Sequence, residues 1–331
     1  MNVPGSTVAS PAASAATTPT DAASDLRAQR VAFAAMVAIV VLAPLVVYPV
    51  FMMKVMCFAL FACAFNLLIG FGGLLSFGHA MFLGSAGYAS AHAAKVWGLT
   101  PELAILFGTA VATGLAVLTG LLAIRRQGIY FAMITLALAQ MVFFVALQSK
   151  FTGGEDGIQG VPRGRLFGIV DLSQPMAMYT LVAVIFLAGF AFVWRVVRSP
   201  FGQVLKAIRE NESRAISLGY DADRYKLVAF VISGAVAGLA GATKALVFQL
   251  ASLTDVHWTM SGEVVLMTLL GGLGTIFGPV VGAAVIITAQ NYLAQLGAWV
   301  TVVQGIIFVV CVLAFRRGII GELGHWLKKR L

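Results

Sequence analysis

Apolar and polar positions in this chain are organised on a long scale. From about residue 31 to residue 315, runs of mostly apolar residues are separated by short polar breaks. A helix needs about 20 apolar residues to cross the hydrocarbon core of a bilayer. Ten runs approach that length, at about 31–50, 54–70, 74–96, 102–124, 128–148, 177–197, 227–250, 262–277, 279–295 and 299–315. The pattern predicts an all-α, polytopic transmembrane protein of about ten spans.

Composition indicates the same environment. Hydrophobic residues make up 60% of the 331 positions and charged residues only 11%, about half of the charged share of a soluble domain. The formal charge of +9 fits membrane loops that collect Lys and Arg on the cytoplasmic side, so it does not indicate nucleic-acid binding. Cys57, Cys63 and Cys311 lie inside apolar runs without the spacing of a metal site, and no metal is expected.

Basic residues predict an orientation, because Lys and Arg concentrate in cytoplasmic loops. With ten spans and a cytoplasmic N terminus, every basic cluster lies on the cytoplasmic side, and the loop 149–176, which has no net charge, lies outside. The clusters are Arg27 with Arg30, Arg125 with Arg126, Arg195 with Arg198, the segment 199–226, and Arg316 with Arg317 and 328–330. Residues 1–28 are interpreted as a disordered cytoplasmic tail, residues 29–317 as the transmembrane domain and residues 318–331 as a basic cytoplasmic C terminus.

The segment Ser199–Lys226 contrasts with the runs on either side of it, because it holds nine charged residues. Its apolar positions recur at helical spacing: Val204, Leu205, Ile208, Ala215 and Leu218. The spacing predicts a short amphipathic helix, with Gly219 just past its end. Glu210 and Arg214 are one turn apart in the order that favours an ion pair. Such a helix on the cytoplasmic face is a candidate contact for another protein.

Few polar side chains lie within the apolar runs, and each is a candidate for function because polar groups are costly inside a membrane. The candidates for a translocation path are Asn66, Ser76, His79, Thr135 and Gln140. The alternative is that they form hydrogen bonds between helices. Lys54 and Lys244 are expected to extend towards the membrane interface. The runs lack the paired carboxylates or Arg–acid pairs expected of a proton- or sodium-coupled carrier, so energy for transport would come from elsewhere.

Two glycine motifs, about 200 residues apart, resemble each other. The first glycine motif, Gly72–Gly78, reads GGLLSFG, and the second, Gly271–Gly278, reads GGLGTIFG. Their glycines are Gly72, Gly73, Gly78, Gly271, Gly272, Gly274 and Gly278. Glycine-interrupted segments at matching places in two halves are typical of transporters built from internal repeats. The alternative is chance, since Gly-Gly is common in membrane helices.

A membrane serine hydrolase is the enzymatic alternative, suggested by Ser85 and His92. Seven residues apart on one helix, their side chains would be separated by about 10 Å along the axis, beyond the hydrogen-bond reach that a Ser–His pair needs. No catalytic residue is therefore assigned. The chain also has no phosphate loop of the G-x-x-x-x-G-K-[ST] type, so ATP could act only through another protein.

Six stretches, in order, resemble the M-type permease subunit of high-affinity branched-chain amino acid ABC importers. They are NLLIG at 66–70 with GLLSFGHA at 73–80, YFAMITLA at 130–137, TGGEDG at 152–157, SPFG at 199–202, AIRENE at 207–212 with LG at 218–219, and LGGLGTIFGP at 270–279. Together they extend over about residues 60–315. The resemblance implies a type II ABC importer permease with pseudo-repeated halves, in a bacterial inner membrane with both termini cytoplasmic.

The same resemblance implies partners. A second related permease, two cytoplasmic ATPase subunits and a periplasmic substrate-binding protein would complete the importer, and ATP would be used by the partner subunits, with no cofactor bound directly. Ser199–Lys226 would be the coupling segment that contacts the ATPase, through the matching residues Ala207, Arg209, Glu210, Asn211, Glu212 and Gly219. Relatives of this architecture carry branched-chain amino acids, urea, amides or aromatic acids. The substrate stays open, and an ATP-independent channel or secondary carrier is the further alternative.

Overall fold

The computed structural model describes residues 19–294 and 318–326, together with isolated positions between them (302, 303, 305, 306, 309 and 313). Its α-helices are α1 Pro19–Leu42, α2 Pro49–Asn66, α3 His79–Lys95, α4 Pro101–Ala123, α5 Ile129–Gln148, α6 Pro175–Arg198, α7 Pro200–Glu210, α8 Glu212–Ser217, α9 Ala222–Phe248, α10 Trp258–Gly271, α11 Gly278–Leu293 and α12 Ile319–Trp326. A π-helical turn, Leu67–Phe71, continues α2. Single 3₁₀ turns lie at Ala43–Leu45, Lys150–Thr152, Gly154–Asp156 and Leu253–Asp255.

Short strands form two small antiparallel pairs. Strand β1 (Ile158–Gln159) pairs with β4 (Leu250–Ala251), with Ile158 opposite Ala251. Strands β2 (Arg165–Leu166) and β3 (Val170–Asp171) form a hairpin. All four strands lie in connections between helices, so the fold is helical.

The helical membrane class predicted from the apolar runs is confirmed. Within the described residues, five helices are long and apolar enough to cross a membrane: Pro49–Phe71, Pro101–Ala123, Ile129–Gln148, Pro175–Arg198 and Ala222–Phe248. Each coincides with one predicted span. Gln29–Leu45 and Gly278–Leu293 are shorter apolar helices at two further predicted spans.

Three predicted spans fit less well. Helix α3 begins at His79 and not at residue 74, and α10 covers Trp258–Gly271, where 262–277 was predicted. Most of the span 299–315 lies outside the described residues. The count of about ten spans therefore stays a prediction.

Helix α1 begins at Pro19, within the segment 1–28 that was interpreted as a tail, and the extent of that tail stays a prediction. Residues 1–18 lie outside the described part of the chain. At the other end, residues 319–326 of the predicted basic C terminus form α12. Gly318, just before α12, is packed so closely on the second glycine motif that a Cβ there would lie 2.3 Å from Gly272 Cα.

Helix α2 occupies the centre of the bundle and contacts α6, α9, α10 and α11. Nearly every residue after its first turn is buried, as expected for a helix that is apolar all round. Helices α3, α4 and α9 approach one another closely through small residues. A Cβ on Gly241 would lie 1.9 Å from the Leu83 carbonyl oxygen, and one on Gly108 would lie 2.5 Å from that of Ala86.

The connections divide between two ends of the bundle. Ser199–Lys226 follows the C-terminal end of α6 and leads into α9. Helix α9 has 27 residues and is about 40 Å long, so its other terminus lies at the opposite end. There β4 follows α9 and pairs with β1 in the connection between α5 and α6. The coupling segment and the strand pair β1–β4 therefore lie at opposite ends.

Candidate functional site

The coupling segment contains two helices and not the single helix that its apolar spacing predicted. Helix α7 ends at Glu210, and Asn211, with φ −156° and ψ 98°, turns the chain. The Asn211 side chain then accepts a hydrogen bond from the Arg214 backbone N–H at 3.0 Å, which caps α8. Glu210 and Arg214 lie on separate helices, and the predicted ion pair is not among those in the described residues. Gly219, with φ +90°, follows α8 as predicted.

One face of α7 packs on the first glycine motif. The Arg209 guanidinium donates a hydrogen bond to the Gly70 carbonyl oxygen, and a Cβ on Gly73 would lie 2.9 Å from Arg209 Cγ. Leu205 lies over Gly72, at 3.7 Å from the position of a Cβ there. The coupling segment is therefore in direct contact with the break between α2 and α3.

A second anchor of the coupling segment is Glu212. Its carboxylate accepts hydrogen bonds from Lys226 Nζ at 2.5 Å and from Gln127 Nε2 at 2.9 Å. The Lys226 side chain is only 4% exposed, and a buried ammonium group requires such a partner. Glu212 thereby joins α8 to the start of α9 and to the connection between α4 and α5.

The remaining coupling candidates, Ala207, Glu210, Asn211 and Gly219, are exposed. Sequence reasoning missed the apolar side chains beside them: Ile216, Leu218 and Tyr220 are 55%, 70% and 40% exposed. Leu218 was expected on the buried face, but the turn at Asn211 changes the register of that face. The signal that could have shown this is Asn211 itself, an N-cap residue type followed by an acidic first turn.

Asn66 joins the two glycine motifs. Its Nδ2 donates a hydrogen bond to the Thr275 carbonyl oxygen at 2.8 Å, and its Oδ1 accepts one from the Gly274 N–H at 3.1 Å. A Cβ on Gly70 would lie 2.7 Å from the Gly274 nitrogen. We call this contact between Asn66, Gly70, Gly274 and Thr275 the glycine junction.

The two glycine motifs have similar local geometry. In the first, Ser76 Oγ accepts a hydrogen bond from the Gly78 N–H at 3.2 Å. In the second, Thr275 Oγ1 accepts one from the Gly278 N–H at 3.1 Å. In each, a hydroxyl group binds the backbone at the start of the next helix. The second glycine of each pair also has positive φ, +70° at residue 73 and +119° at residue 272, which favours glycine.

His79 lies at the centre of a buried polar contact. Its Nε2 is 2.7 Å from Ser233 Oγ, and that hydroxyl donates its hydrogen to the Ala64 carbonyl oxygen at 2.6 Å. Because a hydroxyl has one hydrogen to donate, His79 must donate from Nε2, which leaves Nδ1 as an acceptor. Nδ1 is buried and has no partner in the described part of the chain. The rings of Phe65 and Phe82 meet the imidazole edge to face at 5.0 and 5.6 Å.

The other path candidates differ in their surroundings. Thr135 Oγ1 of α5 accepts a hydrogen bond from the Phe77 N–H at 3.2 Å, so Thr135 packs against the buried segment that carries Ser76 and His79. Asn66 lies on α2 two residues after Ala64, and its side chain binds Gly274 and Thr275. Gln140 is half-buried on α5 and forms no hydrogen bond within residues 19–294.

Ser85 and His92 are not paired with each other. The Ser85 hydroxyl donates to the Phe82 carbonyl oxygen of its own helix at 3.4 Å. His92 stacks on the Phe151 ring at 3.8 Å, and its Nδ1 lies 3.2 Å from the Phe151 carbonyl oxygen. The structure does not bring these two residues together as a nucleophile and its base.

Comparisons with known proteins agree with this membrane architecture. The chain is 26% identical over 288 residues to the high-affinity branched-chain amino acid transport system permease protein LivM of Salmonella typhimurium, over 80% of this chain and 68% of that protein. LivM of Escherichia coli gives the same identity and coverage. The ribose import permease protein RbsC of Bacillus subtilis is 29% identical over 239 residues, 67% of this chain and 70% of RbsC. No solved structure matches significantly.

The sequence model of one family matches most of the chain, from residue 47 to residue 312. The matched range includes the coupling segment, both glycine motifs and all five path candidates. The family is described as "Branched-chain amino acid transport system / permease component", and this chain belongs to it.

Proposed function

We propose that this chain is the membrane-spanning permease of an ATP-driven importer, in a bacterial inner membrane with both termini cytoplasmic. A separate ATPase moves it, a second related permease completes the path, and a periplasmic binding protein delivers the substrate. The observation that carries this proposal is the contact between Arg209 of the coupling segment and Gly70 at the glycine junction.

The coupling segment has the two surfaces that such a role requires. Its outer surface presents Ile216, Leu218 and Tyr220 to solvent, beside the charged groups of Glu210 and Arg214. An apolar patch with a charged rim fits a groove on another protein. Its inner surface holds the first glycine motif through Arg209. A movement of the segment would thus reach α2 and α3 directly.

The glycine junction is where such a movement would act on the path. Helices α2 and α10 both end there, and the pseudo-repeat proposed for the two halves would place equivalent breaks side by side. Ser76 and His79 lie on the segment that follows the first break, and Thr135 of α5 packs against that segment through its hydrogen bond with the Phe77 N–H. The aromatic rings around His79 close this region, and a shift of α3 would open it.

Branched-chain amino acids are the proposed substrate, because two LivM proteins match over most of the chain. Import of urea, amides or aromatic acids by the same architecture is the alternative. The similarity to a ribose import permease adds neutral sugars to these alternatives.

The test is uptake of radiolabelled L-leucine into proteoliposomes that contain the importer complex purified from the source organism. We expect uptake only with ATP on the ATPase side and with the loaded binding protein on the other side. Uptake by this chain alone, without ATP, would contradict the proposal and support a channel or secondary carrier. ATP-dependent uptake of another solute would change the substrate and leave the rest of the proposal in place.

A further inference from the structure

A cluster of mixed charge lies at the end of the bundle opposite the coupling segment. Its members come from four helices and one connection, and they are Lys54 of α2, Lys244 of α9, Asp255, Glu263 of α10 and Gln290 of α11. The two lysines were expected to extend towards the interface, and Lys244 instead forms an ion pair with Asp255. Asp255 and Glu263 follow α9 closely, and the fold returns them to its C-terminal end.

Half of the cluster is already neutralised. Lys244 Nζ forms an ion pair with Asp255, and both side chains are largely buried, at 15% and 12% exposure. The Lys244 ammonium also lies 5.6 Å from the centroid of the Phe58 ring, a cation–π contact. These neighbours fix Lys244 in place, so this pair has little capacity for a ligand.

The other half, Lys54 and Glu263, is not neutralised by contact. Lys54 lies on α2 and Glu263 on α10, and α2 contacts both α10 and α9, but the two side chains form no ion pair with each other in the described part of the chain. Glu263 Oε2 accepts a hydrogen bond from Gln290 Nε2 at 3.2 Å, and Oε1 has no such partner within residues 19–294. Both side chains are half-buried.

Half-buried charges that are not in contact with an opposite charge are unfavourable, because each has lost part of its hydration. A bound ligand that supplies the opposite charge to each would remove this cost. The cluster has two positive and two negative groups, so it favours a ligand without net charge. A ligand with its own separated charges would satisfy both free groups, with a carboxylate at Lys54 and an ammonium at Glu263. A neutral sugar would satisfy neither charge.

A neighbouring hydroxyl supports a ligand at this place. Tyr88 of α3 is 3% exposed, and its hydroxyl is buried without a hydrogen-bond partner in the described residues. Helix α3, which carries Tyr88, packs against the turn Leu253–Asp255, so Tyr88 lies on an element next to Asp255 of the cluster. A buried polar group without a partner is unusual in a folded protein.

We infer that Lys54 and Glu263 form an entry site for the zwitterionic head of an α-amino acid. This inference rests on the proposed function for the direction of transport and deepens its substrate class. Lys54 binds the carboxylate and Glu263 binds the ammonium, and the Lys244–Asp255 pair holds the neighbouring helices in place.

The test is competition for radiolabelled L-leucine on the purified complex without its binding protein. The competitors are unlabelled L-leucine, leucinamide, which lacks the carboxylate, and 4-methylpentanoate, which lacks the ammonium. For the native complex we expect each analogue to bind at least about tenfold more weakly than leucine, since each loses a charge-assisted contact. Equal binding of all three compounds would overturn the inference without the need for any variant.

Two variants assign the contacts. In Lys54→Met, leucine and leucinamide should bind equally, and in Glu263→Gln, leucine and 4-methylpentanoate should bind equally. Lys150→Met and Glu155→Gln, charges in the connection between α5 and α6 at the same end, are the controls and should keep the native preference. A uniform loss for all three compounds would indicate a structural role and would contradict the inference.

The outcome is separable from that of the proposed function. If uptake needs ATP but the analogues compete as well as leucine does, the entry site is refuted and the importer stands. If uptake proceeds without ATP but the two variants lose their respective preferences, the entry site stands and the importer is refuted.

Discussion

The two glycine motifs resemble each other in sequence but differ in what surrounds them. The first is covered by α7: Leu205 lies over Gly72, and Arg209 holds the Gly70 carbonyl oxygen. The second is packed on itself, so that a Cβ on Gly271 would lie 1.9 Å from the Gly278 carbonyl oxygen. The coupling segment therefore contacts the first motif most extensively. Asn66 links this region to the second motif through its hydrogen bonds to Gly274 and Thr275.

This difference in packing indicates that the two motifs have different mobility. At Gly72 the first motif has room for a methyl group, and the Arg209 side chain lies beside it, as a part that moves requires. The second has backbone against backbone, which resists displacement because a close-packed contact cannot deform gradually. We interpret the second motif as the fixed side of the glycine junction and the first as the side that the coupling segment moves.

The largest expected effect is the difference in stability between alanine substitutions at the corresponding positions Gly72 and Gly271. Gly271→Ala forces a methyl group into the backbone at Gly278 and should lower the free energy of unfolding by more than about 4 kcal/mol. Gly72→Ala places its Cβ 3.7 Å from Leu205, an ordinary contact, and should change it by less than about 0.5 kcal/mol. Thermal unfolding of the purified variants, followed by circular dichroism, measures both. Equal losses would remove the distinction between a packed and an open motif.

Arg209→Ala should have the next largest effect, and on transport more than on stability. It removes a charged hydrogen bond of about 1.5–3 kcal/mol, so ATP-driven uptake should fall at least about tenfold while membrane insertion is retained. The assay compares leucine uptake with ATP hydrolysis in proteoliposomes, and we expect more ATP to be used per leucine.

Arg224→Ala is the matched control for Arg209. Its side chain is 85% exposed, and among the described residues it forms an ion pair only with Asp221, three residues away on the same segment. Uptake should stay near the native rate in this variant. If Arg209→Ala transports as well as Arg224→Ala, the coupling segment does not act through the glycine junction.

Asn66→Leu should have an intermediate effect, because it separates the motifs without removing either. The variant keeps a similar volume but loses the hydrogen bonds to Gly274 and Thr275, about 1–2 kcal/mol for two side-chain bonds in a membrane protein. Unfolding in detergent should show this loss. Stimulation of ATP hydrolysis by the loaded binding protein should fall as well, and full stimulation would show that the second motif is not needed for coupling.

How much of this could be predicted from the sequence depends on the distance over which each contact acts. Five long apolar runs and the position of Gly219 follow from local pattern, and the structure agrees with them. The turn at Asn211 was missed because apolar spacing continues across it. The Lys244–Asp255 pair was missed because it needs the chain to reverse between α9 and α10, which hydropathy does not reveal.

The partners of Arg209 and Asn66 could not be predicted for the same reason. Each of these side chains contacts backbone groups more than 130 residues away along the chain, and backbone acceptors leave no residue type to recognise. The sequence could identify such residues as candidates by their polarity, but only the fold assigns what they bind.

The smallest effects are expected at the two hydroxyl groups that cap the next helices. Ser76→Ala loses one hydrogen bond, to the Gly78 N–H, whereas Thr275→Val loses two, because Thr275 Oγ1 also donates to the Gly272 carbonyl oxygen at 2.7 Å. At about 0.5 kcal/mol for each neutral bond, Thr275→Val should cost about twice as much free energy of unfolding as Ser76→Ala. The double variant should be additive within about 0.5 kcal/mol, because the motifs touch through Asn66 and Gly70 and not through these hydroxyls. A larger deviation would mean that the capping turns themselves transmit the coupling, and the fixed second motif would then have to be regarded as mobile.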